Sequence, residues 1–247
     1  GKTEMLPYMR AGGRVIANGD DDMLCTIPGA LLYGLGEPCA VCATEVEDLI
    51  LRGMNFTAHY AGKNFRMHVP ALGVHSVYNA LAAVSAGVLL GMELSEIASG
   101  IETYKPLKGR MNVHELETIT VIDDTYNANP TSTKASLDVL KMCSGRRVAI
   151  LGDMRELGEA APRMHEDVGR YAASLGIERI LCVGTESRHM FDGAEAVAPG
   201  HAQYFETQDA LLSSLSALVQ AGDVILVKAS RGMKLEQTVE ALLLQNK

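Results

Sequence analysis

Residues 121 to 132 read VIDDTYNANPTS, and they change character halfway. Val121 and Ile122 are β-branched and apolar, the beginning of a buried strand. Asp123, Asp124, Tyr126, Asn127 and Asn129 then crowd hydrogen-bonding groups into the strand's end, and Pro130 stops the extended run. Such a cluster caps a helix, makes a turn or holds a ligand. Turn chemistry accounts for it if the Asx side chains fold back and Thr131 or Ser132 caps a following helix. A carboxylate at a strand end equally accepts the hydroxyls of a ribose, as in dinucleotide folds. Spacing does not separate the two readings.

The strand is one of a series. Apolar runs at TITVID, RVAILGD, RILCVG and DVILVKAS alternate with helical patterns at about 132–142, 162–175, 207–220 and 234–244. Strands buried on both faces and separated by helices make a parallel sheet, so the fold class is α/β with a Rossmann-like C-terminal domain. Right-handed crossovers bring every strand end that carries the same kind of loop to one edge. DDTYNANP, GDMRELG (152–158), VGTES (183–187) and KASRG (228–232) are then four polar loops on that edge, where ligands of open α/β sheets bind. In KASRG, Lys228 and Arg231 are either solvated cations or holders of a carboxylate or phosphate. In GDMRELG, Gly152 and Asp153 make a tight turn or face a ligand. His165, opening the next helix, reads as a surface histidine.

Upstream of about residue 106 the signals differ. RVIAN (14–18) is a short buried strand running into an acidic turn, and NFTAHY and NFRMHV joined by AGK have the alternation of a hairpin. HSVYNALAAVSAGVLLG is a mostly buried helix stopped by Gly91, and ELSEIASGIETY is an amphipathic one. KPLKGRMN, with proline, glycine and charge, is the linker, which divides the chain into domains of residues 1–106 and 107–247.

A net charge of −8 over 247 residues argues against a nucleic-acid partner. No apolar run reaches the ~18 residues of a membrane helix, so no membrane insertion is expected, and the absence of a signal-peptide pattern points to a cytoplasmic protein. Cys39 and Cys42 form a C-x-x-C without a second pair, which reads as two small apolar residues in a strand. The chain opens GKT, the tail of a phosphate-binding loop, but no strand and glycine-rich turn stand before the lysine to wrap phosphates.

DDTYNANPTS, LGDMRELG followed by His165, GVHSVYNALAA, PLKGRMN and VKASRGMKLE together resemble the Mur ligases, from about Lys2 to about Leu244. The resemblance implies a three-domain enzyme of peptidoglycan synthesis. Of that enzyme residues 1–106 would be the second half of the central ATP-binding domain and residues 107–247 the C-terminal ligase domain. It implies ATP and Mg2+ as cofactors, UDP-MurNAc-tripeptide and D-Ala-D-Ala as substrates, and the N-terminal half of the same enzyme as a necessary partner, so that the chain alone would lack turnover.

Residue by residue, the resemblance makes Lys2 a lysine that becomes carbamylated and helps to position magnesium, rather than a phosphate-loop lysine. Asn79 would meet adenine, with His75 beside it on one helix face. Arg110 would reach nucleotide phosphate, and Asp124 would bind the ribose. Asn127, Asn129, Asp153, Lys228, Ser230 and Arg231 would line the acceptor side of the cleft. The implied chemistry is activation of a carboxylate as an acyl phosphate, attack by the dipeptide amine, and exclusion of water by closure about the Lys108–Arg110 hinge. A non-catalytic module binding nucleotide or dipeptide is the alternative. A nicotinamide-dependent oxidoreductase is rejected, because no G-x-G-x-x-G follows a strand.

Overall fold

A computed structural model describes residues 2–36 and 38–246, with the Lys2 side chain outside the described set. The chain divides into two compact units, Gly1–Tyr104 and Lys105–Lys247.

The first unit is a five-stranded sheet backed by two helices. Strands β1 (Ile16–Asn18), β2 (Leu31–Gly34), β3 (Val41–Asp48), β4 (Met54–Tyr60) and β5 (Lys63–Val69) lie in sequential order. The first three are parallel and the last three antiparallel. The expected hairpin is β4–β5, turning through Ala61 and Gly62, which both adopt positive φ as a tight two-residue turn requires. Helices α1 (Val74–Leu89) and α2 (Leu94–Glu102) cover one sheet face, where Val41, Phe56, Ala58 and Met67 pack against Val77, Leu81, Val84 and Ile97. The other face is polar: Arg66 lies 3.0 Å from Glu47, and Thr57 donates to Glu45. Cys42 is in β3, whereas Cys39 stands just before that strand, although the C-x-x-C reading put both in it.

The second unit contains β6 (Asn112–Glu115), β7 (Thr120–Asp124), α3 (Pro130–Met142), β8 (Arg146–Gly152), α4 (Ala161–Ser174) and β9 (Arg179–Val183). It continues through α5 (Ser187–Val197), β10 (Ala202–Phe205), α6 (Gln208–Leu218), β11 (Asp223–Lys228) and α7 (Glu236–Gln245). The strand order is β10-β9-β8-β11-β7-β6, parallel throughout except that β6 runs antiparallel to β7.

Alternation along the strands fills two cores. Val121, Val148, Ile150, Leu181, Ile225 and Val227 pack with Leu211, Leu215, Val239 and Leu242 of α6 and α7. Ile122, Ala149, Leu151, Ile180 and Leu226 are equally buried and point the other way, toward the side on which α3 packs against β8 and β11. The sheet is therefore covered on both faces, and the parallel strands end in Asp124, Gly152, Val183, Phe205 and Lys228 along one edge. Helices α4 and α5 cross closely at two glycines. A Cβ on Gly169 would collide with the Met190 carbonyl, and one on Gly193 with the Glu166 carbonyl.

Among the described residues no helix is long and apolar enough to cross a membrane.

Candidate functional site

The loop leaving β7 is held at every residue. Asp123 Oδ1 accepts from the Thr125 amide at 3.2 Å and from its hydroxyl at 2.6 Å. The Tyr126 amide donates to the Gly109 carbonyl at 2.9 Å. The Asn127 carbonyl accepts from Lys228 Nζ at 3.0 Å, and the Ala128 carbonyl from Ser230 Oγ at 3.3 Å. Asn129 is the N-cap of α3: its Oδ1 accepts from the Ser132 amide at 2.8 Å, while Ser132 Oγ takes up the Asn129 amide. Sequence placed the cap at Thr131 or Ser132. The cap is Asn129, with Ser132 as the reciprocal partner of a capping box and Pro130 at the first helical position. Much of the polar endowment of this strand end thus shapes the loop itself.

Asp124 and Lys228 face each other from the ends of neighbouring strands. Lys228 Nζ is 2.5 Å from Asp124 Oδ2, which also accepts from Ser136 Oγ at 2.7 Å. Lys228 is not the solvated cation that one reading made it: its side chain is 3% exposed, and its ammonium bonds Asp124 and the Asn127 carbonyl. A charge so far from water persists only when paired. Asp124 is nearly as enclosed, but among the described residues its Oδ1 has no hydrogen bond. Since no buried side-chain oxygen there lacks a partner, Oδ1 is the atom that reaches solvent.

The loops after β8, β9 and β11 are stitched together in the same way. Asp153 Oδ1 accepts from the Ser187 amide and hydroxyl, both at 2.8 Å, and so caps the start of α5. The Ser230 amide donates to the Asp153 carbonyl at 3.1 Å, and Ser230 Oγ accepts from the Arg155 amide at 2.8 Å. Ser230 is 4% exposed. Asp153 and Ser230, expected to meet substrate, use these groups inside the protein: the Ser230 hydroxyl both donates and accepts, joining the loops after β7, β8 and β11.

His165 is buried rather than superficial. Its Nε2 accepts from the Met154 amide at 2.9 Å, and its Nδ1 lies 2.7 Å from the Ala161 carbonyl. A carbonyl only accepts, so Nδ1 is the donor there while Nε2 serves as the acceptor.

What remains open on this edge is a small cationic and aromatic group. Tyr126 is 37% exposed, with the Arg110 guanidinium 4.1 Å and the Arg231 guanidinium 5.1 Å from its ring centroid. Arg146 and Arg147 each grip a carboxylate. Among the described residues the guanidiniums of Arg110 and Arg231 have no such partner. Asn127 is exposed beside them. Tyr126 was missed from sequence; the signal was an aromatic residue inside an otherwise polar loop.

In the first unit, His75 and Asn79 are exposed on one face of α1. Between them Tyr78 donates its hydroxyl to Asp20 Oδ2 at 2.9 Å, and burial together with that carboxylate pushes Tyr78 up to about 12. Asp20, just beyond β1, also accepts from the Leu35 amide at 2.7 Å. The Lys2 side chain, expected to carry a carbamate, lies outside the described residues. Among those residues no group of three or more His, Cys, Asp or Glu could hold a metal ion.

Comparison with known proteins agrees with this architecture. Residues 109–231 match the Mur ligase, glutamate ligase domain. The UDP-N-acetylmuramoyl-tripeptide–D-alanyl-D-alanine ligase of Bacillus subtilis is 31% identical over 251 residues, 98% of this chain and 54% of the relative. The Escherichia coli enzyme of the same name is 36% identical over 193 residues, 77% of this chain and 42% of the relative. A crystal structure of MurF from Acinetobacter baumannii superposes with a TM-score of 0.89 at 32% identity, covering 98% of this chain and 54% of that one. MurF from Thermotoga maritima in complex with ADP shares the fold, with a TM-score of 0.82 at 21% identity over 97% of this chain and 55% of that one. The chain spans about half the length of the curated relatives it matches. With the doubly wound sheet, its edge of polar loops and this similarity together, the chain belongs to the Mur ligase family.

Proposed function

We propose that this chain forms the later part of an ATP-dependent amide ligase that joins D-Ala-D-Ala to UDP-MurNAc-tripeptide. In this reading residues 1–104 are the second part of the ATP-binding domain and residues 105–247 the ligase domain. Bound ATP would supply the phosphoryl group that activates the tripeptide carboxylate.

The chain's own residues have separate tasks. Arg110 and Arg231 offset oxyanion charge, as preorganised cations do best in a site of fixed geometry. Asp124 accepts a ribose hydroxyl through Oδ1 alone, because Oδ2 belongs to Lys228 and Ser136. Asn127 presents its amide to the acceptor dipeptide. Asp153, Lys228 and Ser230 hold the loops in place, and Asn129 fixes the entry to α3. His75 and Asn79 offer their face of α1 to the adenine. Lys2 would carry the carbamate that helps to position magnesium, and the metal would offset charge on the phosphoryl oxygens. With nucleotide-linked substrates, the reaction is assigned to the cytoplasm.

The observation that carries the reading is the pair of uncompensated guanidiniums on Tyr126, at the edge where Asp124 Oδ1 emerges. The test is ADP release by the complete ligase. It should depend on both UDP-MurNAc-tripeptide and D-Ala-D-Ala, yield the joined peptide, and fall by at least roughly 100-fold in kcat/KM for Arg110→Ala, as for the loss of one transition-state donor. Absence of ADP release with both substrates present would refute it.

A further inference from the structure

We infer that Tyr126 is a positioning residue, whose ring holds Arg110 and Arg231 as one clamp for a single oxyanion. The two arginines come from distant parts of the sequence, the segment before β6 and the turn after β11, yet share one aromatic ring. Guanidinium groups favour an aromatic face, and a ring that engages two of them restricts both in rotation and in aim.

The backbone that carries the ring is well anchored. Gly109, next to Arg110, holds the Tyr126 amide through its carbonyl, and a Cβ on Gly109 would stand 3.0 Å from that amide nitrogen. The neighbouring backbone is pinned by Asp123 at Thr125 and by Lys228 at Asn127. The nearby carboxylates are committed elsewhere: Asp124 to Lys228 and Asp123 to Thr125. Two cations held by a ring, with no carboxylate between them, form a receptor for phosphoryl or carboxylate oxygens. This deepens the ligase reading and rests on it for the identity of the ligand: a nucleotide phosphate, or the carboxylate of the acceptor dipeptide.

The test is a titration of the full chain with tripolyphosphate, followed by NMR of the arginine side-chain Nε–Hε signals, assigned with Arg110→Lys and Arg231→Lys. The Arg110 and Arg231 signals should move together on one saturation curve. Tyr126→Phe, which keeps the ring, should titrate like the parent. Tyr126→Leu should bind roughly 5-fold more weakly, with an unchanged melting temperature, since an exposed cation–π contact is a modest interaction and two are lost. Titration with D-Ala-D-Ala and with its C-terminal amide assigns the source: movement with the acid alone marks a carboxylate, and movement with tripolyphosphate alone marks a phosphoryl group.

The inference is overturned if either arginine fails to respond to both acids, if the two saturate separately, or if Tyr126→Leu titrates like the parent. Failure of the ligase reading is distinguishable. It would appear as a complete enzyme without ADP release while the joint movement of the two arginines persists.

Discussion

Lys228 Nζ lies 2.5 Å from Asp124 Oδ2 across two adjacent parallel strands, with both side chains almost wholly removed from solvent. The pair fixes the spacing of the β7 and β11 ends, and the same ammonium reaches on to the Asn127 carbonyl. Removing one partner strands the other charge in the interior. Lys228→Met is expected to lose about 3–5 kcal/mol in urea denaturation. Lys228→Met combined with Asp124→Leu should recover most of that loss, because two apolar groups leave no orphaned charge. A single variant within about 1 kcal/mol of the parent would contradict the pairing.

Ser230→Ala removes the hydroxyl that joins three loops. The Arg155 amide loses its acceptor and the Ala128 carbonyl its donor, which should cost about 1–3 kcal/mol. Hydrogen exchange locates the effect: the Arg155 amide should exchange faster, while amides within β9 keep their protection.

Gly109→Ala tests the approach of the linker to the Tyr126 loop. Gly109 has φ +76°, and the added methyl would press on the Tyr126 amide nitrogen and on Thr125 Oγ1. A loss of about 1–3 kcal/mol is expected. Gly100→Ala in α2, where nothing lies within 4 Å of the added carbon, is the control and should be neutral or slightly stabilising.

Tyr78 gives a pH signature. Burial first, then its hydrogen bond to Asp20, raises the phenol from 10.0 to about 12. A raised native value means that the contribution is fully present below pH 10, and is lost as pH climbs from the unfolded value through the native one. The stability advantage of the parent over Tyr78→Phe should therefore be flat up to about pH 10 and shrink toward pH 12. Denaturation midpoints of the two proteins measured across that range would check it; an advantage that persists unchanged at pH 12 would contradict the assignment.

Strands β7, β8, β9 and β11 were legible in sequence because each is an apolar run between turn signals, and the four polar loops fell where right-handed crossovers had to put them. Helix α5 and strand β10 were not read. Gly193 interrupts the helical pattern of α5, and only the packed structure reveals that a smaller residue is required where α5 meets Glu166. Strand β10 is four residues long, too short for a period to register.

At the site, sequence identified the right loops but not the direction in which each side chain faces. Lys228 looks like an anion ligand until its partner, 104 positions away, is brought against it. His165 was misread as a surface residue because the Met154 amide that it binds belongs to the loop before its helix, a contact that no periodicity reveals. Tyr126 carried a visible clue, an aromatic ring among amides and carboxylates. Its meaning depended on two arginines that only the fold assembles.

Strand β6 has a mechanical effect. The segment that enters the second unit is bonded rung for rung to β7, Asn112 opposite Asp123 and Glu115 opposite Thr120. Just before it, Gly109 is clasped to Tyr126. The loop that carries the ring and the segment that carries Arg110 are therefore fastened to each other through main-chain bonds, so ring and guanidinium share one frame.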